Sequence, residues 1–130
     1  MSEVRAVRRP LPNERPSFTH KFKIIDSENV AHRGYVHVGL YADGTPGELF
    51  VKMDKEGSLL SGLIDGLAII TSMALQHGVP LKTITSKLTN MSFAPSGRTE
   101  NEKIPRTRSI LDYLGRWLEL KFEPPEAPTP

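Results

Sequence analysis

Apolar and polar side chains alternate over three segments in the first half of the chain, and each segment predicts a β-strand. In the first, residues 18–25, the side chains that share one face are Phe18, His20, Phe22 and Ile24. A period of two is typical of a half-buried strand. Residues 34–41 and 48–54 repeat the alternation, and the Asp43-Gly44 step between them favours a hairpin because glycine accepts a positive φ.

The register of this hairpin follows from which positions are apolar. Val36, Val38 and Leu40 are even-numbered, whereas Leu49, Val51 and Met53 are odd-numbered. Both sets reach one face only if each even position pairs with an odd one. We therefore predict that Val38 lies opposite Val51 and Leu40 opposite Leu49.

Apolar residues at helical spacing predict three helices in the second half. The longest begins near Ser58, a candidate N-cap, and ends at His77-Gly78. Its main apolar stripe is Leu60, Leu63, Ile64, Leu67, Ile70, Ala74 and Leu75. Further apolar side chains lie off this stripe, namely Leu59, Ile69 and Met73. We therefore expect this helix to be the spine of the core, covered by both the sheet and another helix.

A shorter helix is predicted over residues 80–89, and Thr107 can cap a last helix that carries Trp117 on its inner side. Strands grouped before helices indicate an α+β domain. The predicted fold is a three-stranded antiparallel sheet with about three helices packed on one face.

Proline clusters mark both ends of the predicted domain. Of the 11 prolines, seven lie in residues 1–16 and 123–130. Proline lacks an N–H group and so resists helix and sheet pairing. We expect a basic, Pro-rich extended tail over residues 1–16, a single α+β domain over 17–122, and a Pro-rich tail over 123–130.

Composition excludes several classes of chemistry. The 130 residues contain no cysteine, so thiolate metal sites, iron–sulfur clusters and thiyl radicals need another chain. The net charge of +2 is accounted for by the arginines of the first fifteen residues, which makes it a weak sign of nucleic-acid binding. The run Leu67–Leu75 is about half of the roughly 20 residues that a membrane span needs. We expect a soluble, cytoplasmic protein.

Three residues before and at the start of the long helix, Lys55, Gly57 and Ser58, form a candidate anion-binding site. Free N–H groups, a glycine and a lysine favour an anion there. The alternative, an ordinary capped turn, is favoured because the P-loop spacing is absent. The four histidines lack the spacing of metal ligands, and no serine lies in a nucleophile motif. We predict no catalytic residue and no metal site.

Aromatic and basic residues on the outer face of the hairpin form a candidate partner-binding face. Its residues are Tyr35, His37, Tyr41, Phe50 and Lys52. Such a face can stack bases and neutralise phosphates, form a protein interface, or lie under a helix. Because no RNP-type motif accompanies it, burial or a protein partner ranks ahead of nucleic acid.

Small residues repeat every four positions along the long helix, at Ser58, Gly62 and Gly66. Such a strip allows close backbone approach. Tight packing within the domain is the main interpretation, and a two-fold helix pair, hence a homo-oligomer, is the alternative.

Short segments in one order along residues 8–122 carry a family resemblance. They include Arg8-Arg9-Pro10-Leu11-Pro12, Val38-Gly39-Leu40-Tyr41, Lys55-Glu56-Gly57-Ser58, Ala74-Leu75-Gln76 and Ser109-Ile110-Leu111-Asp112-Tyr113. These segments are similar to the C-terminal, TSCPD-type region of vitamin B12-dependent (class II) ribonucleotide reductases. The Thr-Ser-Cys-Pro signature itself has no counterpart in this chain.

The resemblance implies adenosylcobalamin, a cysteine thiyl radical and reduction of ribonucleotides for the family as a whole. A chain without cysteine cannot hold that radical, so no cofactor is expected here and adenosylcobalamin is implied only for the catalytic subunit. The expected function is an accessory domain or small subunit that supports DNA precursor synthesis beside a large catalytic subunit. The alternative is an independent nucleotide- or single-stranded nucleic-acid-binding regulatory module.

Overall fold

Five antiparallel strands and three helices make up the computed structural model, which describes residues 7–122. The strands are β1 (Ser17–Ile25), β2 (Ala31–Leu40), β3 (Pro46–Met53), β4 (Gly97–Thr99) and β5 (Arg106–Thr107). The helices are α1 (Ser58–Gln76), α2 (Leu81–Leu88) and α3 (Ile110–Phe122). The strand order is β3-β2-β1-β4-β5, so the α+β class is confirmed.

The prediction of three strands is wrong, because β4 and β5 extend the sheet beyond β1. These strands have three and two residues, too few for an alternating pattern to be visible in the sequence. Gly97 allows the close approach of β4 to β1. Its φ is +153°, and a Cβ there would lie 1.9 Å from the carbonyl oxygen of Ile25.

The hairpin of β2 and β3 has the predicted inner face but a different register. Val36 lies opposite Val51 and Val38 opposite Leu49, a shift of two residues from the predicted pairing. A shift of two leaves every side chain on the same face. The connection is tighter than predicted, because the Tyr41 amide donates to the carbonyl of Thr45 at 2.9 Å and Leu40 already lies opposite Pro46.

Helix α3, rather than α1, supplies most of the helical side chains of the core. Its Tyr113, Leu114 and Leu118 are almost completely buried against the inner face of the sheet. Helix α1 packs along β3, the edge strand, and buries only four of its residues: Ile64, Ala68, Thr71 and Gln76. The prediction that α1 is the spine of the core, covered on two sides, is therefore wrong.

Two helix starts also differ from the sequence prediction. Gly57, not Ser58, is the N-cap of α1, and it makes no side-chain cap hydrogen bond. At α3 the Ser109 hydroxyl accepts a hydrogen bond from the Asp112 amide at 3.0 Å, as an N-cap does. The hydroxyl of Thr107, the predicted cap, instead donates to the Ser109 carbonyl at 2.8 Å.

Residues 7–16 form no helix or strand but lie against the domain. The guanidinium of Arg15 contacts both carboxylate oxygens of Glu48, at 2.5 and 2.9 Å. The Arg9 amide donates to the Gln76 carbonyl at 2.7 Å. Residues 1–6 and the predicted tail 123–130 lie outside the described residues.

Candidate functional site

Four of the five residues of the predicted partner-binding face lie side by side on the outer surface of β2 and β3. Tyr35 is opposite Lys52, and His37 is opposite Phe50 with ring centroids 6.1 Å apart. Tyr35 is 45% exposed and Phe50 is 54% exposed. Strand alternation places them together, since residues two apart share a face.

Tyr41, the fifth predicted residue, lies elsewhere. It follows the end of β2 and is buried, with its hydroxyl donating to the Arg9 carbonyl at 2.6 Å. The Arg9 guanidinium lies 4.0 Å from the centroid of the Tyr41 ring. The structure therefore places Tyr41 where it holds residues 7–16 against the domain.

A groove of about 230 Å³ separates the outer surface of the hairpin from α1. Its walls are Tyr35, His37, Phe50, Val51, Lys52, Asp65, Ala68 and Ile69. Five of these eight residues are aliphatic or carry a phenyl or phenol ring: Tyr35, Phe50, Val51, Ala68 and Ile69. The groove can receive an apolar side chain, with charged groups at Lys52 and Asp65 on its rim.

The side of α1 that points away from the domain is apolar. We call it the outer face of α1, and its residues are Leu59, Gly62, Leu63, Gly66, Ile69, Ile70 and Met73. All of them are exposed. The sequence analysis noted the apolar residues off the main stripe but assigned them to a second internal contact. Leu63 and Ile70, predicted to face inward, are exposed as well.

Helix α1 is long and apolar enough to cross a membrane by length and composition, with Asp65 its one charged residue. That is a weak indication, because apolar helices of many other proteins pass the same test. The C-terminal end of α1 is tied to the domain by the hydrogen bond from Gln76 Nε2 to the Gly47 carbonyl at 2.9 Å.

The candidate anion site lies at the start of α1, where Lys55, Gly57 and Ser58 are all exposed. Lys55 has a positive φ of 57°, and Gly57 caps the helix. The structure brings the three residues into one turn. Anion binding by them stays a prediction.

A histidine bound by two carboxylates was missed by the sequence analysis. His32 Nδ1 lies 2.6 Å from Glu56 Oε1, and His32 Nε2 lies 2.9 Å from Asp26 Oδ2. Burial alone would lower the pKa of His32, but the two carboxylates outweigh it and raise the pKa. The contact ties the β1–β2 turn to the segment before α1. Asp26 is only six residues from His32, but Glu56 is 24 residues away, so local spacing could not have indicated the second carboxylate.

A second cavity, of about 480 Å³, opens beside β1 at the side chains of His20 and Tyr113. The Asn101 amide donates to the Tyr113 oxygen at 3.1 Å, and that oxygen lies 2.8 Å from His20 Nε2. Burial, followed by the charge of Lys121, lowers the pKa of His20, while burial raises the pKa of Tyr113. A neutral His20 can therefore accept a hydrogen bond from the Tyr113 hydroxyl through Nε2. The charged residues around the opening are Lys21, Lys23, Glu100, Glu102 and Lys103.

Among residues 7–122, no three His, Asp or Glu side chains are placed to hold a metal ion together. The two carboxylates at His32 occupy opposite ring nitrogens, so they cannot converge on one ion with it.

Comparison with known proteins assigns the chain to a family. Residues 6–122 match the TSCPD domain. The chain is 45% identical over 115 residues to a vitamin B12-dependent ribonucleotide reductase of Rhodopirellula baltica, covering 88% of this chain and 11% of the relative. It is 44% identical over 122 residues to the reductase of Streptomyces avermitilis, covering 94% of this chain and 12% of that relative.

A reductase of the same name from Agrobacterium fabrum is 35% identical over 116 residues, which cover 9% of its length. The matched part is the C-terminal region of these reductases, so this chain spans about a tenth of each relative named here. No solved structure matches the chain. The resemblance inferred from the short segments is thus confirmed, and the chain belongs to the TSCPD domain family.

Proposed function

We propose that this domain is a non-catalytic accessory part of a vitamin B12-dependent ribonucleotide reductase, and that it supports reduction of ribonucleotides to deoxyribonucleotides. The observation that carries the proposal is the 45% identity to the C-terminal region of such a reductase in a chain without cysteine. The first property associates the domain with the enzyme. The second supports a thiyl radical in another part of the enzyme, since that radical needs a cysteine sulfur atom and this chain has none.

Neither of the two cavities described among residues 7–122 is large enough to enclose adenosylcobalamin. The groove and the pocket measure about 230 and 480 Å³. Both volumes are well below about 1,000 Å³, the upper end of the range for ordinary ligand sites. A corrinoid with its nucleotide is larger than an ordinary ligand. We propose that the cofactor, like the radical, belongs to the large catalytic part, and that this domain supports the reaction without taking part in a chemical step.

The proposed partner is the large catalytic part of the reductase, to which the domain contributes a contact surface. Support comes from the exposed aromatic side chains Tyr35 and Phe50 beside an apolar groove, because aromatic residues are enriched in protein interfaces. The predicted partner-binding face thus remains a proposal, now carried by Tyr35, His37, Phe50 and Lys52 without Tyr41.

The test uses the large reductase chain from the same organism, produced without its TSCPD region. Complex formation and ribonucleotide reduction by this chain are measured in the presence and absence of this protein. We expect co-purification and a change in ribonucleotide reduction when the protein is added. The protein alone should bind no cobalamin and reduce no nucleotide. Absence of any complex, or tight cobalamin binding by the isolated protein, would overturn the proposal.

A second candidate function is binding of a nucleotide or single-stranded nucleic acid, and one observation favours it. The pocket at His20 has a polar floor and three lysines around its opening, Lys21, Lys23 and Lys103, although Lys23 contacts Glu100 at 2.6 Å. Binding of single-stranded DNA that weakens steeply with salt, measured without any reductase, would support this function.

A further inference from the structure

The outer face of α1 has no partner within the described domain. Leu59 is 76% exposed, Leu63 65% and Ile70 64%. Scattered apolar residues on a surface are ordinary, but a contiguous apolar patch marks an interaction site. Here the exposed aliphatic side chains follow one another along a single helix.

We propose that the outer face of α1 is the surface on which the large catalytic part of the reductase packs, through an uncharged apolar surface of its own. This inference rests on the proposed function and names the contact that it requires. It also shifts the centre of the predicted partner-binding face from the sheet to α1.

Helical geometry separates the two sides of α1 completely. Each residue advances about 100° around the helix. Ile64 and Ala68, which are buried on β3, therefore lie opposite Gly66 and Ile70. Two apolar sides on one helix are expected when both are covered in the functional assembly. The domain covers one of them.

The centre of the outer face is open enough for a close contact. Gly62 and Gly66 lie one turn apart, and a Cβ at either position would meet no atom within 4 Å. Leu59, Leu63 and Ile70 lie along one side of these glycines and Ile69 along the other, so the two glycines form a low trough in the surface. A helix or an apolar side chain of the partner can approach the α1 backbone there.

The trough continues into the groove beside the hairpin. Ile69 belongs to the outer face of α1 and also lines the groove, together with Tyr35 and Phe50. A partner that covers α1 can thus contact the outer surface of the sheet without a gap. The seven residues of the outer face of α1 carry no charge and favour an apolar partner surface, while Lys52 and Asp65 at the groove would need polar or charged partners.

The size of the face favours a large partner over a second copy of this chain. A helix of 19 residues is about 28 Å long and about 10 Å wide. A symmetric pair that meets along α1 alone covers less than the about 800 Å² per partner of stable complexes. In the relatives, by contrast, the matched region is 11% or 12% of the chain, so nearly nine-tenths of the chain is available to cover α1 and the groove together.

The test uses Ile70→Lys and Leu63→Lys, with Leu120→Lys as the matched control. All three replace an exposed aliphatic residue of a helix, but Leu120 lies on α3, away from the outer face of α1. We expect the three variants to keep the wild-type circular dichroism spectrum and melting temperature. Affinity for the large reductase chain without its TSCPD region should fall at least tenfold for the two α1 variants and stay unchanged for the control.

The outcomes separate the two proposals. Binding that is equally strong in all variants would retain the proposed function and overturn the assignment of α1. Absence of binding by the wild-type protein would overturn the proposed function and this inference with it. If the wild type is a dimer and Ile70→Lys is a monomer, the outer face of α1 binds a second copy of this chain and not the reductase. If the wild type floats with phosphatidylcholine–phosphatidylglycerol vesicles and Ile70→Lys does not, this face binds a membrane.

Discussion

The hydroxyl of Ser72 accepts a hydrogen bond from the amide of Leu49 at 2.8 Å and lies 3.1 Å from the carbonyl of the same residue. A side chain of α1 thereby takes the place of a neighbouring strand along the free edge of β3. Gln76 repeats the arrangement one turn later, at the Gly47 carbonyl. Free sheet edges invite pairing with other chains, and α1 closes this one. Ser72 and Gln76 act beside the buried apolar residues Ile64 and Ala68, and the other apolar side of α1 remains outside.

Replacement of Ser72 by alanine should destabilise the domain by about 1–3 kcal/mol, since the partly buried Leu49 amide loses its partner. The free energy of unfolding in urea measures this loss. Ser86→Ala is the control, because the exposed Ser86 hydroxyl contacts only the Thr83 carbonyl of its own helix. Equal stability of the two variants would show that α1 is not held by this bond.

Asp112 is a buried carboxylate that should stabilise the fold most at neutral pH. It accepts hydrogen bonds from the Asn90 amide at 2.7 Å and the Arg108 amide at 2.9 Å, and from the Arg116 guanidinium. Burial alone would raise the pKa of Asp112, but these bonds outweigh it and lower the pKa. Its contribution is therefore present above the unfolded-state pKa of about 3.9 and is lost as pH falls through the lower folded-state pKa.

Asp112→Asn should cost about 2–3 kcal/mol at pH 7, because an amide offers one acceptor oxygen to donors that approach both carboxylate oxygens. The difference in unfolding free energy between wild type and variant should shrink as the pH approaches 3. Asp65→Asn, at an exposed position of α1, provides the comparison. A cost that does not depend on pH would mean that the charge of Asp112 is unimportant.

His32 should produce the opposite pH dependence. Its pKa is raised in the folded state by Asp26 and Glu56, against the effect of burial. The stabilisation is therefore complete below the unfolded-state pKa of about 6.5 and is lost as pH rises through the folded-state pKa. Titration of the imidazole protons by NMR measures that pKa directly.

Removing one carboxylate with Glu56→Gln should lower the pKa of His32. Glu28→Gln, at an exposed position of the β1–β2 turn that also holds Asp26, should change this pKa little. The interpretation would be contradicted if the free energy of unfolding of the wild type, relative to that of His32→Gln, increased above pH 7.

Gly39 leaves space for the carboxylate that binds Arg15. A Cβ at position 39 would lie 2.1 Å from Glu48 Oε2. Gly39→Ala should displace Glu48, release the Arg15 contact and destabilise the domain by about 1–3 kcal/mol. Cleavage after Glu14 by a glutamate-specific protease should become faster, because Arg15 no longer holds this segment against the domain.

Gly62→Ala is the matched comparison for Gly39→Ala, because Gly62 lies in α1 with open space at its Cβ position. This variant should be more stable by about 0.5–1 kcal/mol, through the higher helix propensity of alanine. Destabilisation of both variants to the same degree would show that loss of glycine, and not the collision with Glu48, is responsible.

Most of the secondary structure could be predicted from short-range periodicity in the sequence. Alternation located β1, β2 and β3 and assigned Val38 and Leu49 to one face, because a strand turns each side chain by half a turn. It missed β4 and β5, whose pairing depends on the approach of residues far apart in sequence, such as Thr99 and Ile24. The register shifted by two residues because the hydrogen bonds of the turn, and not the apolar pattern, set it.

The candidate site, too, could be predicted from the sequence only in part. The chain alone established the absence of cysteine, the TSCPD resemblance and a strand face with Tyr35 and Phe50, since these depend on composition and local spacing. Three-dimensional packing placed Tyr41 under residues 7–16 and turned one apolar side of α1 outward. Periodicity tells which residues of a helix share a side. What each side contacts depends on which distant segments pack in the core. Here α3 occupies the position that the apolar pattern had predicted for α1.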